Sequence, residues 1–340
     1  MYHSLQIDRS LRAAFSGART LVTGGAGFIA GHLIAALLEA GAQVVLVDER
    51  SPAQDALRHD RPWASAGLRP VCHALSVGSA EFRHFLRGAE PFDFIFHLAA
   101  RAYAAGSVET PYLDFTANLV ATLDLLEQLR AQRSSARLVF ASSAAVYGNP
   151  AKLPIEETDV TAPVSPYGVS KLAAERYVTV YAQLYGLRAA SLRLFSVYGP
   201  GQPKQVVYDL FRKLHHSPRE LTVLGDGSQV RDLVYVADVV RAFLAVAAHG
   251  RADGYVYNVA SGVGTSTAEL ARQIIMVQGA DAALRFTGST RPGDPERWIG
   301  SCAPLAALGA APRYSLREGL HATAQWFNTT VAEHVLEVAG

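Results

Sequence analysis

Short runs of apolar and β-branched residues recur through the N-terminal part of this chain, and stretches of helical spacing separate them. Residues 20–23, 43–48, 92–97, 137–142 and 189–195 read as strands buried on both faces. Between them, Leu33, Leu37 and Leu38 share one side of 31–40, and Leu119, Leu123 and Leu126 share one side of 112–130. The segment 170–184 repeats the pattern. Strand and helix in alternation predict an α/β fold built on a doubly wound parallel sheet.

After Tyr198-Gly199-Pro200-Gly201 the rhythm loosens. Glycine and proline cluster at 225–227, 262–264 and 291–295, while helical spacing persists at 234–248, 266–277 and 316–327. Residues 202–340 are therefore expected to form mainly a smaller, substrate-binding C-terminal lobe, with some segments returning to the sheet. Residues 19–201 are expected to hold cofactor and catalytic groups, and 1–18 to be an N-terminal extension.

Bulk properties narrow the partners. Half of the 340 residues are apolar, and 31 Lys and Arg nearly cancel 30 Asp and Glu. No basic run suggests nucleic acid, and no apolar run approaches the ~18 residues of a membrane span. Cys72 and Cys302 are far apart in sequence and lack metal-ligand neighbours, so no metal site is expected. Residues 1–18 mix charge and polarity, without an apolar stretch of signal-peptide length. A soluble cytoplasmic protein is the expectation.

The first chemical motif is the turn Thr23-Gly24-Gly25-Ala26-Gly27-Phe28-Ile29-Ala30-Gly31, between a strand and a helix. Gly24 permits a tight bend, Gly27 admits a pyrophosphate close to the backbone, and the helix opening at Phe28 and Ile29 offers N–H groups to that charge. Ala30 occupies the third position of the spaced-glycine pattern. Asp48, ending the next strand, is placed to accept from adenosine ribose hydroxyls and to repel a 2′-phosphate, which favours NAD; Arg50 leaves room for NADP. His97-Leu98-Ala99-Ala100 closes a third strand with small residues where backbone would pass the cofactor. His97 itself reads as packed rather than catalytic.

The second motif is Ser165-Pro166-Tyr167-Gly168-Val169-Ser170-Lys171. Tyr167 and Lys171, four apart, share a helical face. A free tyrosine is a poor base at neutral pH. An ammonium ~4 Å away gains about 4 kcal/mol with a phenolate at an effective dielectric of 20, enough to acidify the phenol before desolvation opposes it. Ser143, at a strand end, is placed either to hydrogen-bond the reacting oxygen or to cap a helix. Asn118 either holds a water or carbonyl near Lys171 or is a solvated polar residue.

With these motifs the chain resembles the extended short-chain dehydrogenase/reductases of the nucleotide-sugar epimerase/dehydratase group. The resemblance rests on residues 23–32, 97–100, 142–148, 165–171, 193–200, 225–232 and 291–294. It implies a Rossmann-type fold, a tightly held NAD, and Ser143, Tyr167 and Lys171 as the catalytic set. Cofactor contacts are implied at Gly24, Gly27, Phe28, Ile29 and Asp48, at Leu98, Ala99 and Ala100, and at Asn118, Tyr167 and Lys171. Nucleotide-sugar contacts are implied at Ser142, Ser143, Tyr167 and Ser196, with Arg231, Arg291 and Asp294 on the nucleoside diphosphate. Guanidinium forks suit diphosphate oxygens, and an aspartate suits ribose hydroxyls.

In 4,6-dehydratases of that family an Asp-Glu pair follows the catalytic Ser/Thr. Here Ala144-Ala145 follows Ser143, so that elimination lacks its acid and base. The pattern is similar to that of 4-epimerases, whose mechanism needs only redox at C4. Ser196 replaces the asparagine common in UDP-glucose epimerases and resembles UDP-glucuronate 4-epimerases, whose further hydroxyls would fall on Ala144 and Ala145. The expectation is a UDP-hexose 4-epimerase, acting on UDP-glucuronate or UDP-glucose. A nucleotide-sugar 4-reductase or decarboxylase-type relative is the alternative, and a non-catalytic NAD-binding sensor the third reading. The helices around 119–126 and 172–180 are expected to pair in a homodimer, as family members commonly do.

Overall fold

The computed structural model describes residues 7–50, 62–289 and 297–331. Strands β1 (Arg19–Thr23), β2 (Gln43–Asp48), β3 (Val71–Ala74), β4 (Phe94–His97), β5 (Arg137–Ser143) and β6 (Ala189–Leu194) belong to one sheet. β7 (Ser196–Tyr198), β8 (Glu220–Val223) and β9 (Val230–Tyr235) follow outside it, and β10 (Asp253–Val259) returns as its seventh strand. The order is β3-β2-β1-β4-β5-β6-β10, with every pairing parallel. β7 pairs with β9, which pairs in turn with β11 (Gly264–Ser266); β8 pairs with β12 (Ala283–Phe286).

Strand residues alternate between two apolar layers, which is why the strands read as continuous apolar runs. Val22, Leu46, Phe96 and Val139 pack in one layer with Leu33, Ile34 and Leu37 of helix Phe28–Glu39. Leu21, Val45, Ile95 and Leu138 pack in the other with Leu125, Leu126 and Val178. The chain reverses its direction of sheet growth between β1 and β4. The turns leaving those strands, at Gly24 and Leu98, therefore open a crevice where such folds bind ligands.

Several elements were hidden in the pattern. β3 lies at the sheet edge with exposed Val71, Cys72 and Ala74, so it shows no buried run. Helix Gln205–His216 buries Val207, Leu210, Phe211 and Leu214. Helix Arg9–Phe15 lies within the N-terminal extension and sets the Phe15 ring 4.7 Å from that of Phe94. The segment expected as one helix over 112–130 is Pro111–Phe115, a wide π-type turn at Thr116–Val120, and Ala121–Ala131.

Candidate active site

A cavity of about 910 Å³ runs along the C-terminal ends of the strands. Gly24, Gly27, Phe28, Ile29 and Asp48 line one end. Leu98, Ala99 and Ala100 line its floor, with Ser142, Ser143, Tyr167 and Lys171 beyond, and Ser196 and Arg231 come from the later part of the chain. Arg291 and Asp294 lie outside the described residues.

At the glycine-rich end, Gly24 adopts φ +71°, and a Cβ there would fall 2.6 Å from the Ala99 nitrogen. Only glycine lets these two turns meet. Gly27 caps helix Phe28–Glu39 without a side-chain hydrogen bond, so backbone N–H groups of the first turn open beside the cavity. Such a cradle fits a dinucleotide pyrophosphate. Asp48 braces the turn: Oδ2 accepts from the Ala26 N–H at 3.0 Å and Oδ1 from the Arg50 N–H at 3.0 Å. The Arg50 guanidinium lies 3.6 Å from Asp48 and donates to the Ala26 carbonyl.

Ser143 ends β5 and caps the turn Ala144–Tyr147, accepting from the Ala145 N–H at 3.2 Å. Tyr167 and Lys171 stand in the first turns of helix Pro166–Tyr185. Ser165 caps that helix, and the Tyr167 N–H donates to Ser107 Oγ at 3.0 Å. Burial acts on both members of this pair. Lys171 Nζ sits 4.3 Å over the Phe140 ring, and burial pushes its pKa down to about 7 against the upward pull of Asp114 and Glu175. Burial likewise raises the Tyr167 pKa, opposed by a hydrogen bond from Ser143 and reinforced by Asp114. Desolvation thus opposes the charged form of both groups.

Of the two readings of Asn118, the solvated one is excluded: it is fully buried and holds backbone beside the Lys171 helix, with Oδ1 accepting from the Arg101 N–H at 2.8 Å and Nδ2 donating to the Arg101 carbonyl at 3.5 Å and to Ser170 Oγ at 3.2 Å. His97 is packed as expected, its ring nitrogens meeting Thr23 Oγ1 at 2.7 Å and Thr122 Oγ1 at 3.0 Å. The Ser142 hydroxyl is committed to Glu175 Oε2 at 2.7 Å. Arg231 lies with its guanidinium carbon 5.9 Å from the Trp298 ring, and Trp298 Nε1 donates to the Gly148 carbonyl.

The sequence reading missed the carboxylates behind this wall. Asp114 bonds Ser170 and Asn118, and Glu175 pairs with Arg193. Glu175 had a signal, since it continues the four-residue spacing of Tyr167 and Lys171.

A site of this form, on a parallel sheet with a glycine-rich first turn and a Tyr-x-x-x-Lys helix, defines a dinucleotide-dependent enzyme of the short-chain type. The family model described as "NAD dependent epimerase/dehydratase family" matches residues 20–260, and the chain belongs to that family. It is 35% identical over 314 residues to the UDP-glucose 4-epimerase of Mycolicibacterium smegmatis, covering 91% of this chain and 98% of that protein. The crystal structure of UDP-glucose 4-epimerase with UDP-glucose from Thermotoga maritima superposes with a TM-score of 0.83 at 33% identity, over 92% of this chain and 99% of the other. MoeE5 in complex with UDP-glucuronic acid and NAD gives 0.80 at 32% identity, over 92% and 100%.

Proposed function

We propose that this protein is an NAD-dependent UDP-hexose 4-epimerase that inverts C4 through a transient 4-keto sugar, with UDP-glucuronate or UDP-glucose as substrate. The observation that carries the reading is one cavity whose wall joins the Gly24–Gly27 turn to Ser143, Tyr167 and Lys171, and these to Arg231. When bound there, NAD supplies a hydride acceptor and donor at C4.

The chain's own residues handle protons and position. Tyr167 Oη takes the proton of the C4 hydroxyl and returns it once C4 has the opposite configuration. Ser143 Oγ orients that hydroxyl, and Lys171 supplies positive charge beside the ribose. Arg231, with Arg291 and Asp294, holds the nucleoside diphosphate while the sugar turns about it. Ala145 lines the cavity where a dehydratase needs an ionisable group, which supports epimerisation over elimination.

We assign residues 19–201 to the NAD-binding domain with its catalytic residues and 202–340 mainly to the nucleotide-sugar lobe. β10 supports the return of part of that lobe to the sheet. Helix Pro166–Tyr185 exposes Val169, Tyr177, Val180 and Leu184 in one stripe, and Tyr112, Phe115 and Val120 are exposed on Pro111–Phe115 and Thr116–Val120, which pack against that helix. That apolar surface supports a homodimer. Among the described residues no helix is long and apolar enough to cross a membrane, and we place the enzyme in the cytoplasm.

Purified protein incubated with UDP-glucuronate or UDP-glucose, without added NAD, should convert one of them to its 4-epimer, read from the anomeric proton by NMR. No inversion of any UDP-sugar, with net NAD(P)H consumption on a 4-keto sugar, would establish a reductase instead.

A further inference from the structure

Asp114 is a buried carboxylate with no arginine or lysine in hydrogen-bond contact among the described residues. Its Oδ2 accepts from Ser170 Oγ at 2.6 Å, and its Oδ1 accepts from Asn118 Nδ2 at 2.9 Å. Ser170 lies between Tyr167 and Lys171 on their helix, and Asn118 belongs to the wide turn Thr116–Val120 and holds the Arg101 N–H. π-type turns of this kind concentrate at functional sites. A carboxylate is thus built into the joint between the catalytic helix and the loop at the cavity floor.

We propose that Asp114 is a positioning residue: through Ser170 and Asn118 it fixes the Tyr167–Lys171 turn against the Arg101 loop, and it adds negative charge to the surroundings of that turn. The proposal rests on the reading of Tyr167 and Lys171 as the catalytic pair. Among the described residues, Asp114 and Glu175 on its own helix pull the Lys171 pKa up, and Lys171 in turn acts on His97 on β4; Glu175 is already paired with Arg193. His97 is held neutral, its pKa down to about 3, by burial and by Lys171. Asp114 is then the carboxylate whose charge is left to balance the ammonium. The same charge opposes phenolate formation at Tyr167, so it biases both groups toward their protonated forms.

The test compares the parent holoprotein with Asp114→Asn, Asp114→Glu and Ser170→Ala. Two quantities are followed against pH: kcat for UDP-sugar epimerisation, and NAD+ affinity by calorimetry, which needs no turnover. In Asp114→Asn both limbs of the rate profile should move to lower pH, the alkaline one by about one pH unit, and NAD+ affinity should weaken at correspondingly lower pH. Asp114→Glu should restore the parent's limbs, and Ser170→Ala should move them the same way by less. A fall in kcat by one factor at every pH, with limbs and affinity profile unmoved, would overturn the proposal. If Asp114→Asn does not fold, an unmoved profile in Ser170→Ala overturns it. A parent without epimerase activity would refute the proposed function, while the affinity profile would still decide the role of Asp114.

Discussion

Glu175 and Arg193 meet in a two-pronged ion pair, with Nη2 2.7 Å from Oε1 and Nε 3.0 Å from Oε2, and both side chains are almost wholly excluded from solvent. The pair spans helix Pro166–Tyr185 and β6. It also receives the Ser142 hydroxyl, and Arg193 donates to the Tyr147 hydroxyl at 2.7 Å and to the Glu157 carbonyl at 3.0 Å. One turn along the same helix stands Lys171. The pair thus ties the catalytic helix to the strand end that carries Ser143.

Removing one partner of such a pair leaves a buried charge without compensation. Glu175→Gln should lower unfolding stability by about 3–5 kcal/mol, read from urea denaturation. A loss below about 1 kcal/mol would show that the pair contributes no more than an exposed one.

Tyr167→Phe removes the proton carrier and leaves the ring in place. Turnover should fall by about 10³-fold, within the usual range for a lost acid-base group, while NAD+ affinity by calorimetry stays near the parent value. Retained turnover would exclude the phenol from the chemistry.

His97 gives a stability signature. Its folded pKa of about 3 lies below the ordinary 6.5, because burial, then Lys171, disfavour the imidazolium. The unfolded chain takes up this proton as pH falls through 6.5, and the folded chain does not until about 3. Stability from this group is complete above 6.5 and declines between those values, by up to a few kcal/mol. The urea midpoint of the parent should therefore fall more steeply with acid than that of His97→Gln; parallel curves would contradict the assignment.

The central strands, the glycine-rich turn and the Tyr-Lys spacing were legible because each is a local pattern with a physical cause. β1, β2 and β5 are buried on both faces, and Gly24 and Gly27 stand where a side chain would collide with backbone. Asp114, Glu175 and the orientation of Lys171 were not legible, since they depend on which helices meet behind the sheet. The desolvation that opposes the charged forms of Tyr167 and Lys171 depends on that same packing, so its weight was not legible either. Asn118 was legible only as a polar residue with two readings, because the backbone it holds, at Arg101, lies 17 positions away in sequence.

The most direct test of C4 redox is the fate of a deuterium placed at C4 of the UDP-sugar. The account predicts that the epimer retains the label at C4 with no exchange from solvent, because the hydrogen that leaves is the one that returns to the other face. Loss of the label to water, or a product lacking the C6 oxygen, would contradict it.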